Sequence, residues 1–156
     1  MNELAQQVVA KLKKKSLTLA TAESITGGGI AWQITAIPGS SEVFLGGVVS
    51  YSDKSKRKLL GITTALLKKH TSVSERVAIE MANSIRAEMK SDFAIATTGV
   101  AGPGKAYGQK AGTVWIAIAS KKETISVELS LTGDREAVRN ATIMSALATF
   151  ERILSS

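Results

Sequence analysis

Glu23, Ser24 and Thr26 stand immediately before three consecutive glycines, Gly27 to Gly29. A serine hydroxyl can attack an acyl carbon when a neighbouring group takes its proton, and a glycine run lets backbone N–H groups face an anion or a developing oxyanion. Tyr51 to Lys56 is a second polar turn, where Tyr51 alone reads as a strand end and Lys56 as a solvated helix lysine, inside a basic segment that runs to Lys58. Thr98 to Gly104 (TGVAGPG) is a second glycine-rich turn. The first of these turns is read as an active-site turn. Two structural readings stand beside the chemical one: Ser24 or Thr26 serves as a helix N-cap, and the glycines serve close helix–sheet packing. The segment is neither a phosphate loop, since no Gly-Lys-Ser/Thr follows, nor a Gly-x-Ser-x-Gly elbow.

The elements that must carry these residues follow from hydrophobic period. Leu17 and Leu19 alternate with Thr18 and Ala20 as in a strand, and Ile30, Ile34 and Ile37 recur at helical spacing, so the first reactive set lies at a strand-to-helix junction. An opening helix carries Leu4, Val8 and Leu12 and ends at the lysine run before Ser16. Pro38-Gly39 breaks the second helix, and Val43 to Tyr51 reads as a buried strand in which Gly46 and Gly47 permit a bulge or a close backbone approach. Short helices are predicted after Tyr51 and over Thr64 to Lys69. Ser72-Val73-Ser74-Glu75 fits a capping box before a helix with Val77, Met81, Ile85 and Met89 on one face. Phe93 to Thr98 is a strand, Gly112 to Ala119 and Thr124 to Leu131 form a hairpin, and a last helix begins near Asp134 and buries Ile143, Leu147, Phe150 and Leu154. This order predicts an α/β fold, one domain over residues 1–156, with a mixed sheet and helices on both faces. Ligands in such sheets sit beyond the carboxyl ends of the strands, and three polar turns follow predicted strands: Ala22 to Gly28, Tyr51 to Lys56 and Thr97 to Gly104.

Composition narrows the chemistry. The 156 residues include no cysteine, which excludes thiolate nucleophiles, thiolate metal sites and disulfides, and one histidine, His70, on which any Ser-His pair would depend. No apolar run approaches the ~20 residues of a membrane span, so a cytoplasmic protein with no membrane partner is expected. The net charge is +7, but the lysines fall in separate clusters with few aromatics between them, which argues against nucleic acid as a partner.

The motifs then converge on one resemblance. AES-x-TGG at Ala22 to Gly28, GGVVSYS at Gly46 to Ser52 with Lys56 beyond, VSE at Val73 to Glu75, TG-x-AGPG at Thr98 to Gly104, GTVW at Gly112 to Trp115, and GDR at Gly133 to Arg135 with Arg139 beyond resemble the CinA C-terminal domain family in order across nearly the whole chain. The resemblance is to the stand-alone form of that domain. It implies a three-layer α/β/α fold and hydrolysis of the carboxamide of nicotinamide mononucleotide, with Ser24 as nucleophile, Lys56 as its activator and Tyr51 as supporting hydroxyl. It further implies a nucleotide pocket drawing on Glu23, Thr26, Gly27, Gly28, Thr98, Gly99, Gly102 and Gly104, no cofactor or metal, and a homo-oligomer. Ile25 takes a position often held by cysteine in the family, and the Lys105 to Ala111 loop is about one residue short.

The chemistry asks for an unprotonated lysine. Burial and the cations Lys54, Arg57 and Lys58 are expected to lower the Lys56 pKa from about 10.4 toward 7 to 8, so that it removes the Ser24 proton directly or through Tyr51. N–H groups from Thr26 to Gly28 are expected to hold the oxyanion, and Glu23 to orient a lysine or a backbone donor. Arg135 and Arg139 suit a phosphate, a salt bridge with Asp134 or Glu136, or an oligomer contact; Trp32 and Trp115 suit core or interface. The competing function is a nucleotide- or protein-binding module of the same fold without catalysis.

Overall fold

The computed structural model describes residues 2–156. Helix α1 (Glu3–Lys15) is capped by the Asn2 side chain and ends at Ser16 in the left-handed region, with Lys13, Lys14 and Lys15 in its last turn where the helix dipole favours cations. Strand β1 (Leu19–Glu23), helix α2 (Gly29–Thr35), a short 3-10 turn, strand β2 (Phe44–Val49), helices α3 (Asp53–Leu60), α4 (Thr64–His70) and α5 (Glu75–Met89), strands β3 (Phe93–Gly99), β4 (Thr113–Ala119) and β5 (Thr124–Ser130), and helix α6 (Arg135–Ser155) follow. The sheet order is β2-β1-β3-β4-β5. β1 runs parallel to β2 and to β3, whereas β4 and β5 are antiparallel additions. The mixed α/β/α sandwich anticipated from the element order is therefore the observed one.

This order brings the carboxyl ends of β2, β1 and β3 side by side, so all three polar turns open on one edge of the sheet. Register holds them there: Glu23, the residue before Ser24, pairs with Val49 on one side and with Thr97 on the other. The two faces of the sheet differ in bulk. Leu19, Ile95, Ile116 and Ile118 join the core under α1, α2 and α6, with Leu12, Ile30, Leu147 and Phe150. Ala20, Ala22, Ala94, Ala96, Ala117 and Ala119 make the opposite face, where small side chains let the Val77, Met81 and Ile85 stripe of α5 lie close.

β2 departs from the expected buried strand. It is the sheet edge, and its residues alternate between half-buried and exposed, because nothing pairs beyond it. Both roles foreseen for its glycines are present: the ladder slips between Leu19 and Ala20, where Gly46 has φ +138°, and a Cβ on Gly47 would lie 2.6 Å from the Thr21 carbonyl oxygen. The cap of α5 is Ser74, which accepts from the Val77 N–H, rather than the expected Ser72, whose side chain is buried elsewhere. No helix among the described residues is long and apolar enough to cross a membrane.

Candidate active site

Ser24 lies one residue past the end of β1, held by its N–H to the Thr97 carbonyl at 3.0 Å, and is 7% exposed. Across from it, α3 starts with a reciprocal cap in which Ser52 and Ser55 satisfy each other's backbone N–H groups. That start points the next turn of α3 inward and buries Lys56, which is 1% exposed. Its Nζ is 2.8 Å from Ser24 Oγ and 2.8 Å from the Ser50 carbonyl oxygen. Burial lowers the Lys56 pKa to about 8, against the opposing pull of Asp53 one turn earlier. The expected contribution of Lys54, Arg57 and Lys58 is absent: desolvation alone does the lowering.

In the turn after Ser24, Glu23 takes backbone donors, one of its two expected roles, while the rest of the turn departs from expectation. The Glu23 carboxylate, 1% exposed, accepts from Thr26 Oγ1 at 2.6 Å and from the N–H groups of Ile30 and Ala31 at 3.0 and 2.8 Å. The protein's own carboxylate thus occupies the first turn of α2, where the sequence suggested an anion from outside. Gly28 is the N-cap, so neither Ser24 nor Thr26 fills that role. The Gly27 N–H bonds back to the Ser24 carbonyl and the Gly29 N–H to the Thr26 carbonyl, while Arg139 donates to the carbonyls of Ile25 and Thr26 from α6. Glu23, Thr26, Gly27 and Gly28 accordingly shape the turn from behind. Thr26, Gly27 and Gly28 border a separate shallow cleft with Trp32 and Arg139, not the one that holds Ser24. Gly27 and Gly28 need their positive φ values of +57° and +95° for this geometry.

Ser24 and Lys56 open into a cleft of about 200 Å³ that also takes in Tyr51, Thr98, Gly99, Gly102 and Gly104. Thr98 turns its hydroxyl to the Ser72 carbonyl at 2.6 Å, and the Ser72 hydroxyl in turn bonds Asp53. Gly99 is required by space, since a Cβ there would come within 2.8 Å of the Thr113 carbonyl oxygen. Tyr51 is 57% exposed at the mouth, and its hydroxyl accepts from Arg135 at 2.8 Å. The relay from Ser24 to Lys56 through Tyr51 has no counterpart here, because the two partners already touch. Ile25 packs in the core and lines the cleft floor.

Several wall residues escaped the sequence reading. Ser72 and Tyr107 line the cleft, Asp53 supports it through Ser72, and the Ser50 carbonyl holds the amine. Burial, with Asp53 and Tyr51 nearby, raises the Tyr107 phenol above its usual range. Arg135, weighed from the sequence for a phosphate, a salt bridge or an oligomer contact, also lines the cleft and donates to the Gly102 carbonyl at 2.7 Å as well as to Tyr51. The alternative salt bridges of Arg135 and Arg139 with Asp134 or Glu136 do not form among the described residues. Trp32, 69% exposed, is outside the core, whereas Trp115 packs against the alanine face. His70 closes α4 and is not part of the cleft wall.

Comparison with known proteins agrees with this architecture. The profile of the CinA C-terminal domain matches residues 1–154. A competence-damage inducible protein of Caldanaerobacter subterraneus subsp. tengcongensis is 40% identical over 153 residues, which cover 97% of this chain and 37% of that protein. The chain spans a little over a third of the length of such relatives. Among solved structures, the competence damage-inducible protein A of Klebsiella pneumoniae superposes with a TM-score of 0.95 at 36% identity, over 98% of this chain and 96% of that one. A competence or damage-inducible protein of Enterobacter asburiae gives 0.94 at 35% identity, over 97% and 96%.

Proposed function

The chain belongs to the CinA C-terminal domain family, and on that premise we propose that it is a serine amidohydrolase converting nicotinamide mononucleotide to nicotinic acid mononucleotide and ammonia, a step of pyridine nucleotide salvage. The observation that carries this reading is the 2.8 Å hydrogen bond between a buried Lys56 amine and the Ser24 hydroxyl inside an open cleft. A pure binding module has no use for a desolvated amine beside a serine, since burying it works against folding.

In the proposed reaction neutral Lys56 accepts the Ser24 proton as Oγ bonds to the carboxamide carbon. The oxyanion falls to backbone N–H groups of the turn beginning at Ile25, because the Gly27 and Gly29 N–H groups already close that turn. Lys56 then passes the proton to the amide nitrogen, the C–N bond breaks, and ammonia leaves. A water, deprotonated by Lys56, cleaves the remaining nicotinoyl ester and returns Ser24 to its starting state. The substrate phosphate is read by Arg135, whose guanidinium has only neutral acceptors, Gly102 O and Tyr51 Oη, and no ion pair among the described residues. No cofactor or metal ion enters the scheme.

The test is ammonia release from nicotinamide mononucleotide by the purified protein, beside Ser24→Ala and with nicotinamide riboside as the substrate lacking phosphate. Release that vanishes in Ser24→Ala and is weaker on the riboside supports both nucleophile and phosphate reading. Folded protein that releases nothing from either substrate overturns the proposal in favour of a binding module.

A further inference from the structure

The Lys56 side chain is buried, and its amine has two hydrogen-bond partners, Ser24 Oγ and Ser50 O. A neutral amine meets them with its lone pair toward the Ser24 hydroxyl and one N–H on the Ser50 carbonyl, which leaves its second N–H over. On a neutral amine that leftover donor is weak. Once the Ser24 O–H bond breaks and its proton joins the Lys56 lone pair, the leftover N–H belongs to a buried ammonium and carries a share of its charge, so an acceptor for it matters far more.

One residue offers that acceptor. Ser50 is fully buried, and its hydroxyl is one of two buried side-chain polar atoms without a hydrogen-bond partner among the described residues. The other, Ser91, lies between α5 and β3, at the end of β3 opposite the cleft. Orphaned buried hydroxyls are rare in native structures and call for a reason. The Ser50 backbone is fixed on both sides, by its N–H to the Glu23 carbonyl at 2.9 Å and by its carbonyl under Lys56. Only rotation about its own Cα–Cβ bond is left.

We propose that Ser50 is a positioning residue whose hydroxyl turns to accept the third N–H of the Lys56 ammonium, holding the proton between Ser24 and the departing amide nitrogen. The proposal rests on Lys56 acting as the base described above. The proton moves from Ser24 Oγ to Lys56 Nζ and on to the leaving nitrogen, and Ser50 neither gains nor loses one. Of the other charged or titratable groups around the cleft, Asp53, on the same helix, bonds Ser72; Glu23, at the end of β1, bonds Thr26 and α2; and Arg135 bonds Tyr51, while the Tyr107 phenol is a further group in the cleft wall.

The experiment follows the Lys56 side-chain nitrogen by NMR through a pH titration of the intact protein labelled with [15N]lysine, in the wild type and in Ser50→Ala, Ser50→Cys and Ser91→Ala. Loss of the third acceptor disfavours the ammonium, so Ser50→Ala should titrate lower by roughly one pH unit, about tenfold in the protonation constant. Ser50→Cys, a weaker acceptor of similar size, should shift part of the way and is read instead if the alanine variant does not fold. Ser91→Ala should leave Lys56 where it is. A Ser50→Ala titration no lower than that of Ser91→Ala overturns the proposal. In the kinetic arm, the acid limb of kcat/KM should move down with the titration while the plateau falls about tenfold. A lowered melting temperature with an unmoved limb would instead mark Ser50 as packing only and also overturn it. Wild-type protein that releases no ammonia removes the amidase reading, and the titration still decides whether Ser50 contacts the ammonium.

Discussion

At the scale of single residues, the decisive feature is one long aliphatic side chain carrying an amine into a space that excludes water. A lysine of ordinary pKa is protonated at neutral pH and cannot take a proton from serine; burial of Lys56 brings the group to about 8. Its neutral fraction, and with it kcat/KM for the proposed amide hydrolysis, should climb tenfold per pH unit below about pH 8 and level off above it. A pH–rate profile checks this, and a rate independent of pH from 6 to 9 contradicts lysine as base. The same burial has a stability consequence. The folded pKa lies below the unfolded one, near 10.5, so the unfolded chain binds more protons between the two values and stability rises with pH across that window. Below pH 8 the folded state carries the full cost of a buried charge, about 3 kcal/mol, of which a lost hydrogen bond to Ser50 O would offset about 1. Lys56→Met should therefore abolish activity yet stabilise the fold by about 2 kcal/mol at pH 7, with the gain fading as the pH approaches 10.5. Urea melts at pH 7 and pH 10 measure the difference.

At the scale of elements, the turn that carries the proposed nucleophile is a strand end fastened to the next helix by its own carboxylate. Glu23 satisfies two N–H groups of α2 and the Thr26 hydroxyl, while Arg139 of α6 takes the carbonyls on the other side of the turn. Ser24 sits between these clamps. Glu23→Ala should cost about 3 kcal/mol, because it leaves buried donors unpaired, and should lower kcat more than it raises KM, since the nucleophile is displaced while the cleft wall stays. Thermal melts together with steady-state kinetics test both halves; an unchanged melting temperature would show that the clamp contributes little. Here sequence reading found the right turn and the wrong partition within it. Glu23 was expected to orient a lysine or a backbone donor, and the path of α2 decides for backbone, at the N–H groups of Ile30 and Ala31.

At the scale of the whole molecule, the site is assembled by topology. β2, β1 and β3 run parallel as neighbours, so turns that lie far apart along the chain share one edge, and α6 returns across that edge to bring Arg135 from near the other end of the sequence to Tyr51 and Gly102. The Arg135 guanidinium at the mouth of the cleft, with no ion pair among the described residues, suits the anionic substrate proposed for this protein of net charge +7. Arg135→Ala should raise KM for the mononucleotide by roughly tenfold to a hundredfold, the value of a charge-assisted hydrogen bond, and leave KM for the riboside nearly unchanged. Parallel kinetics on the two substrates measure this split, and an equal rise on both would assign Arg135 to holding the loop instead.

What the sequence determined by itself were the elements and the chemistry they could carry. Apolar spacing marked the main strands and helices, glycines marked the turns, and the motif set shared with the CinA C-terminal domain family singled out Ser24, Tyr51 and Lys56. Tertiary structure decided the rest: that Lys56 meets Ser24 directly, that Tyr51 serves Arg135, that Glu23 faces inward, and that β2 is an edge. The physical reason is the range of the forces involved. Hydrophobic period and turn chemistry act over a few residues and can be read along the chain, whereas desolvation of an amine and the pairing of a carboxylate depend on which distant segments close around them.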